Sequence, residues 1–135
     1  MLMSRRQAIL GIAVVLSLYA TGEFAFARSG DPLYGLDTDK DRTIDLEEAK
    51  KAASAVFDRL DRDHDGTLDR RELRGRLTAR ELDAADPDHD KTLTKDEYLA
   101  LVEKRFNAAD PDHDGTVDSK ELKTKAGRAL LRLLR

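Results

Sequence analysis

The sequence contains no cysteine and no tryptophan, and only three prolines stand among its 135 residues. Without cysteine, the chain has neither disulfides nor thiolate ligands for zinc or an iron–sulfur cluster. A chain of this length forms one small domain at most, and a small domain without disulfides often needs another source of stability. A site for a hard cation, bound by oxygen atoms, is the remaining candidate for that role.

The charge balance and the residue inventory argue against two further classes of function. The formal charge is −3, from 27 acidic and 24 basic residues, so the chain lacks the basic excess that nucleic-acid binding needs. The few serines have no histidine nearby in the sequence that would activate them as nucleophiles. We therefore expect neither a nucleic-acid partner nor an enzymatic activity.

Residues 1–27 are predicted to be a cleavable export signal. Arg5 and Arg6 precede a 13-residue apolar stretch at 8–20, and Ala25-Phe26-Ala27 provides a cleavage site of small residues. A transmembrane helix needs about 20 apolar residues, so a stable membrane anchor is the less favoured interpretation. The signal is compatible with the general secretory pathway and with the twin-arginine pathway. We therefore expect a periplasmic protein.

Residues 28–135 contain one twelve-residue pattern four times, and we number its copies as loops one to four. Each copy has carboxylates at its first, third, fifth and twelfth places and an apolar residue at its eighth. The copies are DTDKDRTIDLEE from Asp37, DRDHDGTLDRRE from Asp61, DPDHDKTLTKDE from Asp86 and DPDHDGTVDSKE from Asp110. This spacing is that of the calcium loop of an EF-hand, so the domain resembles the EF-hand superfamily.

The pattern predicts which atoms bind the cation. A hard cation takes six to eight oxygens, and an EF-hand loop supplies them from alternate side chains, a backbone carbonyl at the seventh place and a bidentate glutamate at the twelfth. The predicted metal ligands, with each threonine acting through its carbonyl, are Asp37, Asp39, Asp41, Thr43, Asp45 and Glu48 in loop one; Asp61, Asp63, Asp65, Thr67, Asp69 and Glu72 in loop two; Asp86, Asp88, Asp90, Thr92 and Glu97 in loop three; and Asp110, Asp112, Asp114, Thr116, Asp118 and Glu121 in loop four. The fourth-place histidines, His64, His89 and His113, are predicted to face solvent.

The four sites are predicted to differ in quality. The sixth place needs a positive φ, which Gly66 and Gly115 adopt freely, whereas Arg42 and Lys91 adopt it at a cost of about 1 kcal/mol. Loop three also has Thr94 at the ninth place, where the other loops have aspartate. We therefore expect loops two and four to be the better formed and loop three to be the weakest.

The acidic residues are concentrated in the loops, which hold 21 of the 26 acids in residues 28–135. Carboxylates packed this closely repel one another. We therefore expect the metal-free protein to be loosened and metal binding to drive compaction, because the ion binds the folded state preferentially.

The spacing of the loops predicts the fold class. Loop starts are 24, 25 and 24 residues apart, which leaves room for one helix of about 18 Å between loops rather than two helices and a linker. We therefore predict an all-α fold, a small helical bundle with four closely spaced EF-hand loops in which adjacent loops share helices. Apolar stripes at helical spacing predict the core residues Ala52, Ala53, Val56, Phe57, Leu60, Leu99, Val102, Phe106 and Ala109.

The connection between loops two and three differs from the others. Gly75 interrupts the helical pattern, and the Thr78-Ala79-Arg80-Glu81 sequence is a capping box that begins another helix. A turn here lets loops two and three pair, and by elimination loops one and four pair at the other end. A final amphipathic helix over 119–134 closes the bundle, with Leu122, Ala126, Leu130 and Leu134 on its apolar face.

A closer resemblance comes from several features together. Four loops about a dozen residues apart, Pro87 and Pro111 at the second loop place, ninth-place aspartates and an export signal resemble the lanmodulin family of periplasmic lanthanide-binding proteins. The resemblance implies binding of trivalent ions, La³⁺ to the light lanthanides, in preference to calcium, with compaction on binding. Thr38 and Arg62 stand in place of proline in loops one and two.

Electrostatics leaves the choice of ion open. A trivalent ion gains more Coulomb energy from the carboxylates than a divalent one, but it also loses more hydration. The alternatives to a lanthanide carrier, buffer or sensor are therefore a calcium buffer and a dockerin-like interaction module that calcium stabilises. The basic residues of segment 70–80 are predicted to be a solvated helix face, with docking of an unidentified protein partner as the alternative.

Overall fold

The computed structural model describes residues 30–135, so the predicted export signal at 1–27 lies outside the described residues. In residues 30–135, no helix is long and apolar enough to cross a membrane. The elements in chain order are β1 (Thr43–Asp45), α1 (Leu46–Leu60), β2 (Thr67–Leu68), α2 (Ala79–Ala85), β3 (Leu93–Thr94), α3 (Lys95–Ala109), β4 (Thr116–Asp118), a 3₁₀ turn (Glu121–Lys123) and α4 (Lys125–Leu134). The predicted helical fold is confirmed in outline, with two small sheets added to the four α-helices.

The first three α-helices begin with the same capping box. In each, the N-cap side chain accepts a hydrogen bond from the backbone N–H three residues later, and a glutamate there accepts one from the N-cap N–H. The pairs are Asp45 with Glu48, Thr78 with Glu81, and Thr94 with Glu97. The predicted start of a helix after Thr78 is therefore confirmed.

Helices α1 and α3 each connect two loops directly. Each is 15 residues long and ends where the aspartate at the first place of the next loop begins. The two helices pack side by side and antiparallel, because Lys50 pairs with Glu103 (2.9 Å) and Asp58 with Lys95 (2.8 Å). Their core residues are buried as predicted at Ala53, Val56, Phe57, Val102, Phe106 and Ala109, whereas Ala52, Leu60 and Leu99 are half-buried.

Two short antiparallel sheets join the loops. Strand β1 pairs with β4, with Ile44 opposite Val117, and β2 pairs with β3, with Leu68 opposite Leu93. These four side chains, all at the eighth loop place, are fully buried at 0% exposure. Each sheet therefore places two loops side by side above a shared apolar contact.

The chain turns between loops two and three. Residues 70–76 form consecutive turns, and Gly75 has a φ of 83°, which glycine adopts without a steric penalty. Helix α2 follows after the cap at Thr78. The segment that leaves loop two is therefore a series of turns and not the solvated helix face that the sequence predicted.

The predicted helix over 119–134 is wrong at its beginning. The chain forms a 3₁₀ turn, extends at Thr124 with ψ 169°, and only then begins α4. The Thr124 hydroxyl caps α4 by accepting a hydrogen bond from Gly127 N–H at 3.0 Å. A Cβ at Gly127 would lie 2.1 Å from the backbone oxygen of Glu121, so the 3₁₀ turn packs directly on the helix backbone.

The break in this helix changes which residues fill the core. Leu122, Leu130 and Leu134 are buried as predicted, but Ala126 is half-buried and Leu133 is fully buried. Tyr98 is also fully buried, and its hydroxyl donates a hydrogen bond to the backbone oxygen of Leu133 at 2.8 Å. This bond connects α3 to the end of α4.

Candidate metal centre

Each loop brings three carboxylates together. One oxygen from the residues at the first, third and twelfth places lies within 4.8 Å of the other two, a separation that a single cation can bridge. The four clusters are Asp37, Asp39 and Glu48; Asp61, Asp63 and Glu72; Asp86, Asp88 and Glu97; and Asp110, Asp112 and Glu121. All ligand atoms in them are carboxylate oxygens, the donors that hard cations prefer.

The first-place aspartate draws the loop backbone around itself. In every loop, one of its oxygens accepts a hydrogen bond from the sixth-place N–H, at 2.7–3.1 Å. The sixth-place residues all have a positive φ, which confirms the prediction that Arg42 (73°) and Lys91 (68°) adopt the left-handed conformation. The loops with glycine at this place reach the same geometry without that strain.

Asp86 carries an oxygen that the protein leaves unpaired. In residues 30–135, Asp86 Oδ1 is the one buried side-chain nitrogen or oxygen without a hydrogen-bond partner. A buried carboxylate oxygen without a hydrogen-bond partner lowers the stability of the metal-free protein. Since Asp86 belongs to the cluster of loop three, a bound cation is the partner that the donor set fits.

The fifth-place aspartates lie outside the three-residue clusters. Each accepts hydrogen bonds from the seventh-place threonine, from the backbone N–H at 2.8 Å and from the hydroxyl at 2.7–2.9 Å. These residues are Asp41, Asp65, Asp90 and Asp114. One carboxylate oxygen of each therefore fixes the backbone turn between the fifth and seventh places.

The ninth-place residues hold the segment that follows each loop. Their side-chain oxygens accept a hydrogen bond from the backbone N–H of the twelfth-place glutamate, at 2.7–3.3 Å. The residues are Asp45, Asp69, Thr94 and Asp118. Thr94 makes this bond as the aspartates do, so loop three differs from the others in charge and not in capping.

The twelfth-place glutamates differ between the two halves of the chain. Glu48 Oε1 accepts hydrogen bonds from the Thr38 N–H (2.6 Å) and hydroxyl (2.8 Å), and Glu72 Oε1 accepts one from the Arg62 N–H (3.0 Å). Proline has no N–H to donate. Where it stands at the second place, in loops three and four, the described chain makes no hydrogen bond to Oε1 of the twelfth-place glutamate, Glu97 or Glu121.

The third-place aspartate has a raised pKa in all four loops. For Asp63, burial is the main cause, and the carboxylates of Asp61, Asp65 and Glu72 raise the pKa further, against a hydrogen bond from Asp65 N–H that lowers it. The charges in the cluster therefore favour a proton on this carboxylate. A cation in the same place would relieve the same repulsion.

Two features of the loops go beyond what the ligand pattern predicts. The fourth-place residues, Lys40, His64, His89 and His113, also have a positive φ, between 56° and 64°. Histidine is enriched at positive φ among residues other than glycine, so the three histidines carried a signal and Lys40 did not. The other feature is the hydrogen bond that the second-place N–H donates to the twelfth-place glutamate in loops one and two. The sequence carried a signal for this difference, because the proline at the same place in loops three and four has no N–H. The histidines are exposed, as predicted.

Comparison with known proteins supports the same assignment for two of the loops. The EF hand family model matches residues 54–78 and 101–124, which contain loops two and four, the loops with glycine at the sixth place. No curated protein matches the chain. The two matched segments and the four acidic loops together support an EF-hand protein.

Proposed function

We propose that the protein is a periplasmic lanthanide-binding protein that acts as a carrier, buffer or sensor and becomes compact on binding metal. The EF-hand segments and the acidic loops indicate metal binding, for which calcium is the typical ion. The observation that carries the proposal is the repeated three-carboxylate cluster, in one copy of which Asp86 Oδ1 is buried without a partner. No catalytic step is part of this function.

The preference for a trivalent ion rests on charge and on resemblance. Loops one, two and four each offer five carboxylates and loop three offers four, so a trivalent ion leaves less uncompensated negative charge than calcium does. Proline at the second place is shared with the lanmodulin family and stiffens the loop, which favours discrimination by ion size. A calcium buffer with the same architecture is the alternative.

We further propose that the loops act in pairs, one with four and two with three. The strand pairings support this, because an ion that orders one strand also orders the strand hydrogen-bonded to it. A dockerin-like interaction module has less support. Such a module needs an exposed apolar face, and Tyr34 is the one large apolar side chain exposed in residues 30–135.

The decisive experiment is a metal titration of the mature chain after removal of metal with a strong chelator. Helicity is followed by circular dichroism at buffered free concentrations of lanthanum and of calcium. We expect helicity to rise with both ions, with the lanthanum midpoint at the lower free concentration. Equal midpoints would contradict the lanthanide preference and favour the calcium buffer. Unchanged helicity and an unchanged melting temperature with both ions would refute metal-driven compaction.

A charge-matched pair of variants separates metal binding from a general effect of charge. The variant Asp86→Asn with Asp110→Asn removes the first-place carboxylate from two loops and should shift the midpoint to higher ion concentration. The control, Asp83→Asn with Asp96→Asn, removes two exposed carboxylates outside the predicted ligand set. We expect the control to titrate like the unaltered protein.

A further inference from the structure

An arginine-lined cavity lies beside loop two and shares Glu72 with the carboxylate cluster of that loop. Its volume is about 710 Å³, and five of its eight lining residues are arginines: Arg62, Arg71, Arg74, Arg76 and Arg132. Leu60 and Gly75 contribute apolar wall, and Glu72 is its one carboxylate. Segment 60–76 supplies seven of the eight lining residues, and the fold adds Arg132 from α4 to them.

Most of the positive charge in this cavity is uncompensated. In residues 30–135, Arg62, Arg71 and Arg74 make no ion pair with their guanidinium groups. Arg76 is held in place by donating hydrogen bonds to the backbone oxygens of Arg132 and Arg135. Close cations repel one another, so this arrangement lowers the stability of the protein unless an anion occupies the cavity.

Arg132 adds little compensation of its own. Its guanidinium is 3.9 Å from Glu81, whose Oε1 already accepts a charged hydrogen bond from Arg105 at 3.0 Å. The one carboxylate on the cavity wall is also engaged elsewhere, because Glu72 accepts backbone hydrogen bonds from Arg62 and Asp69. Guanidinium donors in the cavity are therefore available to a ligand.

We propose that this cavity binds a small oxoanion that carries two or more negative charges. The cavity is open to solvent, since four of its five arginines are exposed, and its volume is in the range of small-molecule sites, about 300–1,000 Å³. Guanidinium groups recognise carboxylate and tetrahedral oxoanions through paired N–H donors, which a single lysine cannot supply. The side chain of Leu60 gives an apolar contact for a carbon stem between the charged groups.

The cavity and loop two share Glu72, which couples the anion site to the proposed metal site. A cation bound in loop two neutralises this carboxylate and its neighbours, so the potential in the cavity becomes more positive and the anion binds more tightly. By linkage, the anion strengthens cation binding by the same factor. This coupling rests on the proposed function, whereas the anion site itself does not.

The test uses two probes, sulfate as a tetrahedral dianion and tricarballylate as a tricarboxylate, titrated into the mature chain at low ionic strength. Binding is followed by NMR through the ¹⁵N-labelled arginine Nε–H signals, with excess calcium and, separately, without metal. We expect saturable shifts of the arginine signals in the calcium arm, and the stronger probe identifies the chemical class of the ligand. No saturable shift with either probe in either arm would overturn the proposal, whatever the metal titration shows.

A matched pair of variants tests the location. Arg71→Gln with Arg74→Gln removes two lining arginines that are exposed and make no ion pair, so the fold should persist. Arg70→Gln with Arg80→Gln makes the same change of charge on exposed residues outside the cavity. We expect at least about tenfold weaker anion binding in the first variant and less than about twofold in the second. Equal weakening in both would show diffuse attraction and overturn the site.

Discussion

In loops one and two the twelfth-place glutamate accepts a backbone hydrogen bond from the second place, whereas loops three and four have proline there and offer none. Glu48 is the extreme case, since Thr38 donates both its N–H and its hydroxyl to one carboxylate oxygen. The comparison shows that a proline can act through the donor it lacks as well as through the φ it restricts.

The difference has an energetic consequence for metal binding. A hydrogen bond of this kind contributes about 0.5–1.5 kcal/mol net, and more where the acceptor is charged. In loops one and two a cation must take over an oxygen that is already bonded. In loops three and four Glu97 and Glu121 present an oxygen that no hydrogen bond within the described chain occupies. We therefore expect proline to favour the metal-bound loop and the N–H to favour the metal-free loop.

Removing the charge of the twelfth-place glutamate should have the largest effect on metal affinity, both in loops one and two and in loops three and four. We expect Glu48→Gln and Glu121→Gln each to weaken metal binding at its own loop at least about tenfold, because ligand charge tunes the affinity of such loops over orders of magnitude. In the presence of chelator, Glu48→Gln should also lower the urea midpoint of unfolding, because an amide N–H₂ group cannot accept the hydrogen bonds that Thr38 donates. If both variants lowered the metal-free midpoint equally, the contrast between the halves would be wrong.

Exchanging the second-place residues should reverse the contrast. We expect Thr38→Pro to tighten metal binding at loop one and Pro111→Thr to weaken it at loop four, each by roughly fivefold, which corresponds to about 1 kcal/mol. The measurement is calorimetric titration with the metal that proves to bind. Thr38→Val is the control, because it keeps the N–H and removes the hydroxyl. It therefore distinguishes the contribution of the N–H from that of the hydroxyl. Weaker metal binding in Thr38→Pro together with tighter binding in Pro111→Thr would contradict the mechanism.

A smaller effect should distinguish the two proline loops from each other. Thr94 caps α3 as Asp45 caps α1, so Thr94→Asp should keep the capping bond and add one negative charge near the ion. We expect the affinity of loop three for metal to rise by no more than about threefold, because a pair of exposed charges contributes little free energy. The reverse change, Asp118→Thr, should weaken loop four to a similar extent. Unchanged affinity in both variants would show that the ninth place acts only as a cap.

The smallest expected effect is a divergence in pH response. Burial raises the pKa of Glu48, but hydrogen bonds from Thr38, Asp45 and Asp39 outweigh it, so its pKa is lowered. The hydrogen bond from Asp118 N–H lowers the pKa of Glu121, but burial and the carboxylates of Asp112, Asp118 and Asp110 raise it above its usual value.

The signs of these two shifts are opposite. A lowered pKa stabilises the fold above the unfolded value, and this contribution is lost as the pH falls through the folded pKa. A raised pKa stabilises the fold below the unfolded value, 4.5 for glutamate, and this contribution is lost as the pH rises through the folded pKa. In metal-free protein, ¹³C NMR of the carboxyl carbons should therefore show Glu121 protonating at a higher pH than Glu48. The reverse order would contradict the difference between the loops.

Much of each loop could be predicted because its geometry is local. The left-handed sixth place and the capping box at Thr78 follow from contacts within a dozen residues, whereas burial of the eighth place depends on the partner strand. The 3₁₀ turn before α4 could not be predicted from helical periodicity. It depends on Thr124 capping Gly127 and on the contact of Glu121 with the same glycine.

The sequence by itself determined the four loops, their carboxylates and the helices between them, because ligand spacing and helix capping act over a few residues. Only the tertiary structure decided the register in which the strands pair, that Tyr98 donates a hydrogen bond to the backbone oxygen of Leu133, and that Arg132 joins the arginines of segment 62–76 in one cavity. These features depend on residues far apart in the chain, whose meeting is set by the burial of the shared core and not by any local pattern.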